Sequence, residues 1–126
     1  MKNILIIEDE EQLRKNTVKM IMLTDSFSDV TVEECSNPLD ALKKMETFYP
    51  DLIITDFLMP FMNGEELIQH VRKLPQYKHT PIILLSAKPD VASFFNDAYI
   101  DFLMKPFFYK ELVQKIQDNL FIKPTI

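Results

Sequence analysis

Asp51-Leu52-Ile53-Ile54-Thr55-Asp56-Phe57-Leu58-Met59-Pro60-Phe61-Met62-Asn63-Gly64 is the stretch that decides the fold. Its apolar run, Leu52 to Ile54, is short, continuous and rich in Ile, as expected of a strand covered on both faces. The run ends in Thr55-Asp56, and Pro60 and Asn63-Gly64 follow as turn signals. Working outward, similar runs occur at Ile4 to Ile7, Val30 to Val32, Ile82 to Leu85 and Phe102 to Met104.

Between the runs lie amphipathic stretches. Asn37-Pro38 with Asp40 reads as an N-cap, a proline in the first turn and an acid at the positive end of the dipole. That helix buries Ala41, Leu42 and Met45 and is predicted to stop at Tyr49-Pro50. Leu67, Ile68, Val71 and Leu74 form a second helical stripe ending at Pro75. Leu112, Val113, Ile116 and Leu120 form another, and Leu13, Thr17, Met20 and Ile21 a weaker one. Strands alternating with helices predict a doubly wound α/β domain of five parallel strands and five helices, spanning residues 1–126 as one unit. Periodicity leaves the strand order open. Lys123 to Ile126 are expected to leave the last helix and end the domain.

Composition narrows the class. The chain has 126 residues, 47% hydrophobic and 26% charged, enough for one core and unlike a disordered segment. No apolar stretch approaches the roughly 18 residues of a membrane span, so no membrane partner is expected. A net charge of −5 argues against direct nucleic-acid binding, which needs a basic face. The lone cysteine, Cys35, fits a reducing cytoplasm and reads as a small buried residue. His70 and His79 show no ligand spacing and read as surface residues.

In an open parallel sheet, ligands bind outside the carboxyl ends of the strands. Strand one ends in Glu8-Asp9, strand three in Thr55-Asp56, strand four in Ser86-Ala87 and strand five in Lys105-Pro106. Each has a plain structural reading: acids as helix starts, Asp56 as a turn residue, Ser86 as a cap, Lys105 as a solvated charge. Their joint placement at four strand ends is harder to explain that way. Gathered carboxylates repel and raise each other's pKa unless a cation intervenes. An oxygen-only cluster suits a hard divalent ion, Mg²⁺ above all, which typically shares its shell with a phosphate oxygen. Lys105 would neutralise further charge, and Ser86 could donate to a phosphoryl oxygen.

On Ile4 to Glu10, Asp51 to Pro60, Asn63-Gly64, Pro81 to Ala87 and Asp101 to Phe107, the chain resembles the receiver domain of two-component response regulators along nearly its whole length. The resemblance implies a flavodoxin-like sheet of order 2-1-3-4-5. It implies Asp56 as phosphoacceptor for a histidine-kinase phosphohistidine, and Mg²⁺ held by Asp9, Asp56 and the Leu58 backbone carbonyl, with Glu8 acting through water. Ser86, Lys105 and Phe102 become the phosphoryl-binding and switch residues, and the Lys105-Pro106 bond is expected to be cis. The partners implied are a sensor histidine kinase or phosphotransfer protein and a downstream output protein or domain, in the cytoplasm. The chain would catalyse only its own phosphorylation and dephosphorylation.

The surface expected to switch is that of the fourth helix, fifth strand and fifth helix. The plain structural reading of Phe102 is a core aromatic on a strand. The stretch between Ser86 and Lys105 is short for the family and carries Ala98 where glycine is usual, which predicts a short or irregular fourth helix near Asp90 to Asp97. Phe94, Phe95, Tyr99, Phe102, Phe107, Phe108 and Tyr109 crowd this region. Most read as core or cover, and some as an exposed patch for a homodimer or partner docking.

Two other classes compete. An aspartyl phosphohydrolase needs a second acid two residues after the nucleophile, where this chain has Leu58, and a cap for which the chain is too short. A non-phosphorylated pseudo-receiver, acting as an interaction module, usually lacks an acid or the lysine, and this chain keeps them all.

Overall fold

The computed structural model describes residues 1–121, so the expectation for Lys123 to Ile126 lies outside the described residues. Five parallel strands, β1 (Lys2–Ile7), β2 (Val30–Cys35), β3 (Leu52–Asp56), β4 (Ile82–Ser86) and β5 (Ile100–Met104), form one sheet of order β2-β1-β3-β4-β5. The three central strands carry the continuous Ile/Leu runs, and β3 and β4 are buried along their full length. That is what helices on both faces require. Alternation divides the strand side chains. Leu5, Ile7, Ile53, Ile82 and Leu84 face one layer, and Ile4, Ile6, Leu52, Ile54, Ile83 and Leu85 the other.

Four α-helices cover the sheet: α1 (Glu11–Met22), α2 (Pro38–Lys44), α3 (Gly64–Lys73) and α4 (Tyr109–Leu120). Helix α2 begins as its sequence predicts, with the Asn37 side chain accepting from the Asp40 amide at 2.8 Å. It ends earlier than Tyr49-Pro50. From Met45 the chain tightens into i→i+3 bonds, Glu46 N–H to Lys43 and Thr47 N–H to Lys44, and turns toward β3. Helix α3 opens on a reciprocal cap between Asn63 and Glu66 and buries Leu67, Ile68 and Val71.

The fourth crossover carries, where a fifth α-helix is expected, a six-residue 3₁₀ helix, Pro89–Phe94. Only Val91 in it is buried. The short connection leaves no room for a full amphipathic helix, so the chain from Phe95 to Tyr99 is tied down otherwise. Asp97 accepts from Arg72 Nε of α3 at 2.7 Å, and Arg72 Nη1 also donates to the Tyr77 carbonyl at 2.7 Å. Among the described residues no helix is long and apolar enough to cross a membrane. Cys35 is buried, and His70 and His79 are exposed.

Candidate functional site: an acidic cluster at the carboxyl edge of the sheet

Parallel pairing brings the strand ends to one edge. Ile7 lies opposite Thr55, and Asp56 opposite Leu85, one residue before Ser86. Glu8, Asp9 and Asp56 therefore meet, each with a carboxylate oxygen within 4.8 Å of the others'. Glu8 and Asp56 are buried, whereas Asp9 is exposed and opens the cluster to solvent. Lys105 reaches in from the end of β5, with Nζ 2.8 Å from Asp56 Oδ1 and 3.2 Å from Glu8 Oε1.

The helix-cap reading of the acids fails on geometry. Glu10 is the residue that caps α1, accepting from the Gln12 and Leu13 amides at 3.1 and 2.8 Å. Glu8 and Asp9 are left out of that work, apart from a long bond from the Glu10 amide to Glu8 at 3.3 Å. Nor is Asp56 a free turn residue. It ends β3, and the loop after it is closed at its base, where Phe57 N–H donates to Leu85 and Gly64 N–H to the Phe57 carbonyl at 2.6 Å. Gly64 suits that approach. A Cβ there would lie 3.0 Å from a Leu84 methyl and 3.1 Å from the Phe57 Cα, so the neighbours would have to give by a few tenths of an ångström.

Electrostatically the cluster is short of positive charge. Burial pushes the Glu8 carboxyl above its ordinary value, the Asp56 charge adds to the rise, and Lys105 opposes it. Burial raises Asp56 as well, against the pull of Lys105 and with a further push from Asp9. Burial alone would lower the Lys105 ammonium, but its bonds to Asp56 and Glu8 outweigh that and raise it. One ammonium thus bonds two of the three carboxylates and leaves Asp9 without a partner among the described residues. The remaining donors are all oxygens, and the residues fit a hard divalent cation such as Mg²⁺.

Ser86 sits on the same edge, but its hydroxyl is engaged locally, accepting from the Lys88 amide at 3.0 Å in a tight turn. It does not cap the 3₁₀ segment, as its plain reading would have it: the residue at the N-cap is Lys88, and no side chain bonds there. Phe102 is half-buried on β5, its ring 6.0 Å from that of Phe95, beneath the 3₁₀ segment. Phe102, Ser86 and Val91 are among the residues that line a cavity of about 50 Å³. The Lys105-Pro106 peptide is cis. Of the crowded aromatics, Phe94, Phe108 and Tyr109 are exposed, and Phe95, Tyr99, Phe102 and Phe107 are half-buried.

Three supporting residues had no clear signal in the sequence. Thr55 is fully buried and donates to the Asp56 carbonyl at 3.1 Å. Phe61, in the loop after Asp56, takes a left-handed φ of 72° and is 92% exposed. Arg14 donates to the Glu8 carbonyl, a contact that depends on how α1 packs against β1 and β2.

A five-strand doubly wound sheet with a cation-type acidic cluster and a lysine at its carboxyl edge defines a class of α/β signalling domains. The chain belongs to the response regulator receiver domain family, whose profile matches residues 4–117, and so to phosphorelay signal transduction. It is 34% identical over 124 residues to the sensor histidine kinase TmoS of Ectopseudomonas mendocina, covering 95% of this chain and 12% of that protein. It is 33% identical over 127 residues to the response regulator ArlR of Staphylococcus aureus, covering 98% of this chain and 55% of the relative. The chain thus spans about half the length, or far less, of these curated relatives.

Among solved structures, the chemotaxis protein CheY4 of Vibrio cholerae superposes with a TM-score of 0.83 at 28% identity, over 95% of this chain and 99% of that one. The signal receiver domain of a signal transduction histidine kinase from Syntrophus aciditrophicus gives 0.80 at 29% identity, over 100% of this chain and 96% of that one. These relatives favour the phosphorelay reading over a pseudo-receiver.

Proposed function

We propose that residues 1–126 are a receiver domain that takes a phosphoryl group on Asp56 from a phosphohistidine of a sensor kinase or phosphotransfer protein. One observation carries the reading: the Asp56 carboxylate is ion-paired to Lys105 at 2.8 Å and clustered within 4.8 Å of the Glu8 and Asp9 oxygens, at a solvent-open edge. An Asp56 oxygen attacks phosphorus, the bond from phosphorus to the donor's imidazole nitrogen breaks, and the nitrogen keeps the electron pair. Asp56 then carries an acyl phosphate.

Asp9, Asp56 and the Leu58 carbonyl are the ligands we assign to Mg²⁺, with Glu8 acting through water. When bound, Mg²⁺ neutralises charge on the carboxylates and the transferring phosphoryl oxygens. Lys105 orients Asp56 beforehand and afterwards balances the new charge. Ser86 would exchange its turn bond to Lys88 for one to a phosphoryl oxygen, pulling the loop after β4 inward. Phe102 would follow toward the small cavity beside it, changing the surface of the 3₁₀ segment, β5 and α4. A downstream protein or domain reads that surface, in the cytoplasm, and a homodimer through it is one form the reading can take. The domain's only chemistry is its own phosphorylation and dephosphorylation.

Acetyl phosphate with Mg²⁺, followed by intact mass, tests the reading. One added phosphoryl group is expected, lost in Asp56→Asn and when a chelator removes the metal. An unmodified wild-type chain, or modification surviving in Asp56→Asn, would overturn it.

A further inference from the structure

The three acids are not held alike. Asp56 is pinned by Lys105, and Glu8 by Lys105 and the Glu10 amide. The Asp9 carboxylate has neither an ion pair nor a side-chain hydrogen bond among the described residues, and it is exposed. What aims it is the backbone. The peptide that joins Glu8 to Asp9 is therefore the element that sets where the third carboxylate points.

That peptide is gripped by Arg14. Its Nη1 donates to the Glu8 carbonyl at 2.9 Å, while its Nε donates to Glu34 Oε1 on β2, also at 2.9 Å. The guanidinium is largely buried, with its side chain 11% exposed. On the other side of the Glu8 Cα, the Glu8 N–H donates to the Cys35 carbonyl of β2 at 3.1 Å. Both backbone groups of residue 8 are thus fixed, and the carbonyl depends on a planar fork that bonds two acceptors at once. Lys15 supports the fork from outside, with Nζ 3.0 Å from the same Glu34 oxygen. Burial would raise the Glu34 carboxyl, but Lys15 and Arg14 overcome it and hold Glu34 below its ordinary value, so this anchor stays charged.

We infer that Arg14 is a positioning residue for cation binding: by holding the Glu8 carbonyl against the Glu34 anchor it aims Asp9 into the acidic cluster. The inference rests on the assignment of Asp9 and Asp56 as cation ligands. Geometry and charge make opposite demands here. Arg14 is itself a cation near the site, so a purely electrostatic role predicts that removing it tightens Mg²⁺ binding. A positioning role predicts that removal weakens it, as loss of groups that orient metal ligands generally does.

The test is Mg²⁺ affinity by calorimetry on the full chain, beside thermal melts, for wild type, Arg14→Met and Arg14→Lys. Positioning predicts Mg²⁺ affinity about ten-fold weaker in Arg14→Met. A smaller but clear loss is expected in Arg14→Lys, which keeps the charge but cannot bond both acceptors, and which serves if Arg14→Met fails to fold. Helix α1 keeps its buried Thr17 and Ile21 in both variants. Unchanged or tighter Mg²⁺ binding in Arg14→Lys and any folded Arg14→Met overturns the inference, even if melting temperature falls. A wild-type chain that binds no Mg²⁺, or Asp9→Asn binding it as tightly as wild type, overturns the ligand assignment itself, and the Arg14 inference falls with it.

Discussion

Two side-chain clusters lie on this sheet, one of three carboxylates and one built on Asp101 alone, and their carboxyls shift in opposite directions. At the carboxyl edge, Glu8 and Asp56 are raised above their ordinary values, because burial and mutual repulsion exceed what one shared lysine returns. Between β5 and α4, burial would likewise raise Asp101. Lys115 at 2.8 Å and the Asn119 amide at 3.0 Å overcome it, however, and hold Asp101 below its ordinary value. The second cluster is finished: each carboxylate oxygen has a donor, and its work is to fasten α4 to the edge strand. The first is unfinished, with three acids to one ammonium, and is completed by charge from outside. The same residue type is structural in one place and reactive in the other because of how many donors reach it.

The largest effect should come from supplying the missing charge. Mg²⁺ at 100 times its dissociation constant stabilises the native state by about 2.7 kcal/mol. Thermal melts should show that rise in wild type and in Asp101→Asn, and little of it in Asp56→Asn. A rise of equal size in Asp56→Asn would break the contrast between the clusters.

Removing the cations comes next. Lys105→Met strands two buried carboxylates, and with the Lys105 side chain 24% exposed a loss of about 2 kcal/mol is expected in urea melts. Lys115→Met should lose only about 0.5 kcal/mol, because that pair is a third exposed and screened.

Removing the acids should split in sign. Without metal at pH 7, Asp56→Asn is expected to stabilise the domain, since a raised carboxyl is one that folding would rather keep neutral. Asp101→Ala should destabilise it by about 1 kcal/mol, leaving the buried Asn119 amide short of an acceptor.

The smallest effect is the pH dependence. The Asp101 carboxyl is lowered in the fold, so its contribution is present above the unfolded value of about 3.8 and is lost as pH falls through the lower folded value. Asp101→Asn, which removes the charge alone, should therefore be less stable than wild type at pH 7 and match it at low pH. The raised carboxyls carry the opposite sign, their cost appearing as pH rises through the folded values.

How much of this was legible in the chain follows from what is local. The apolar runs of β1, β3 and β4 and the acids that terminate them are local facts, and parallel pairing turns strand ends into one edge. The departure in the fourth crossover was also visible, in its length and in Ala98, and the structure makes it a 3₁₀ segment. The overrun of α2 to Tyr49 was an error of stop signals, because i→i+3 bonds end the helix at Met45 before the proline. Arg14 and Asp101 were not legible as partners. Their contacts join α1 to β2 and α4 to β5, pairings that exist only once the register is set. Lys115 and Asn119 share a helix face at i,i+4, but nothing in that spacing says which strand carboxylate they meet.

The most direct measurement is a carboxyl-carbon NMR titration of the metal-free chain, following Glu8, Asp56 and Asp101 side by side and repeated with Mg²⁺. Glu8 and Asp56 should titrate above the ordinary carboxylate range and Asp101 below it, with Mg²⁺ drawing Asp56 sharply down and leaving Asp101 where it was. Three carboxyls titrating alike, or an Asp56 indifferent to Mg²⁺, would contradict the claim that the acidic edge is built to be completed by a cation.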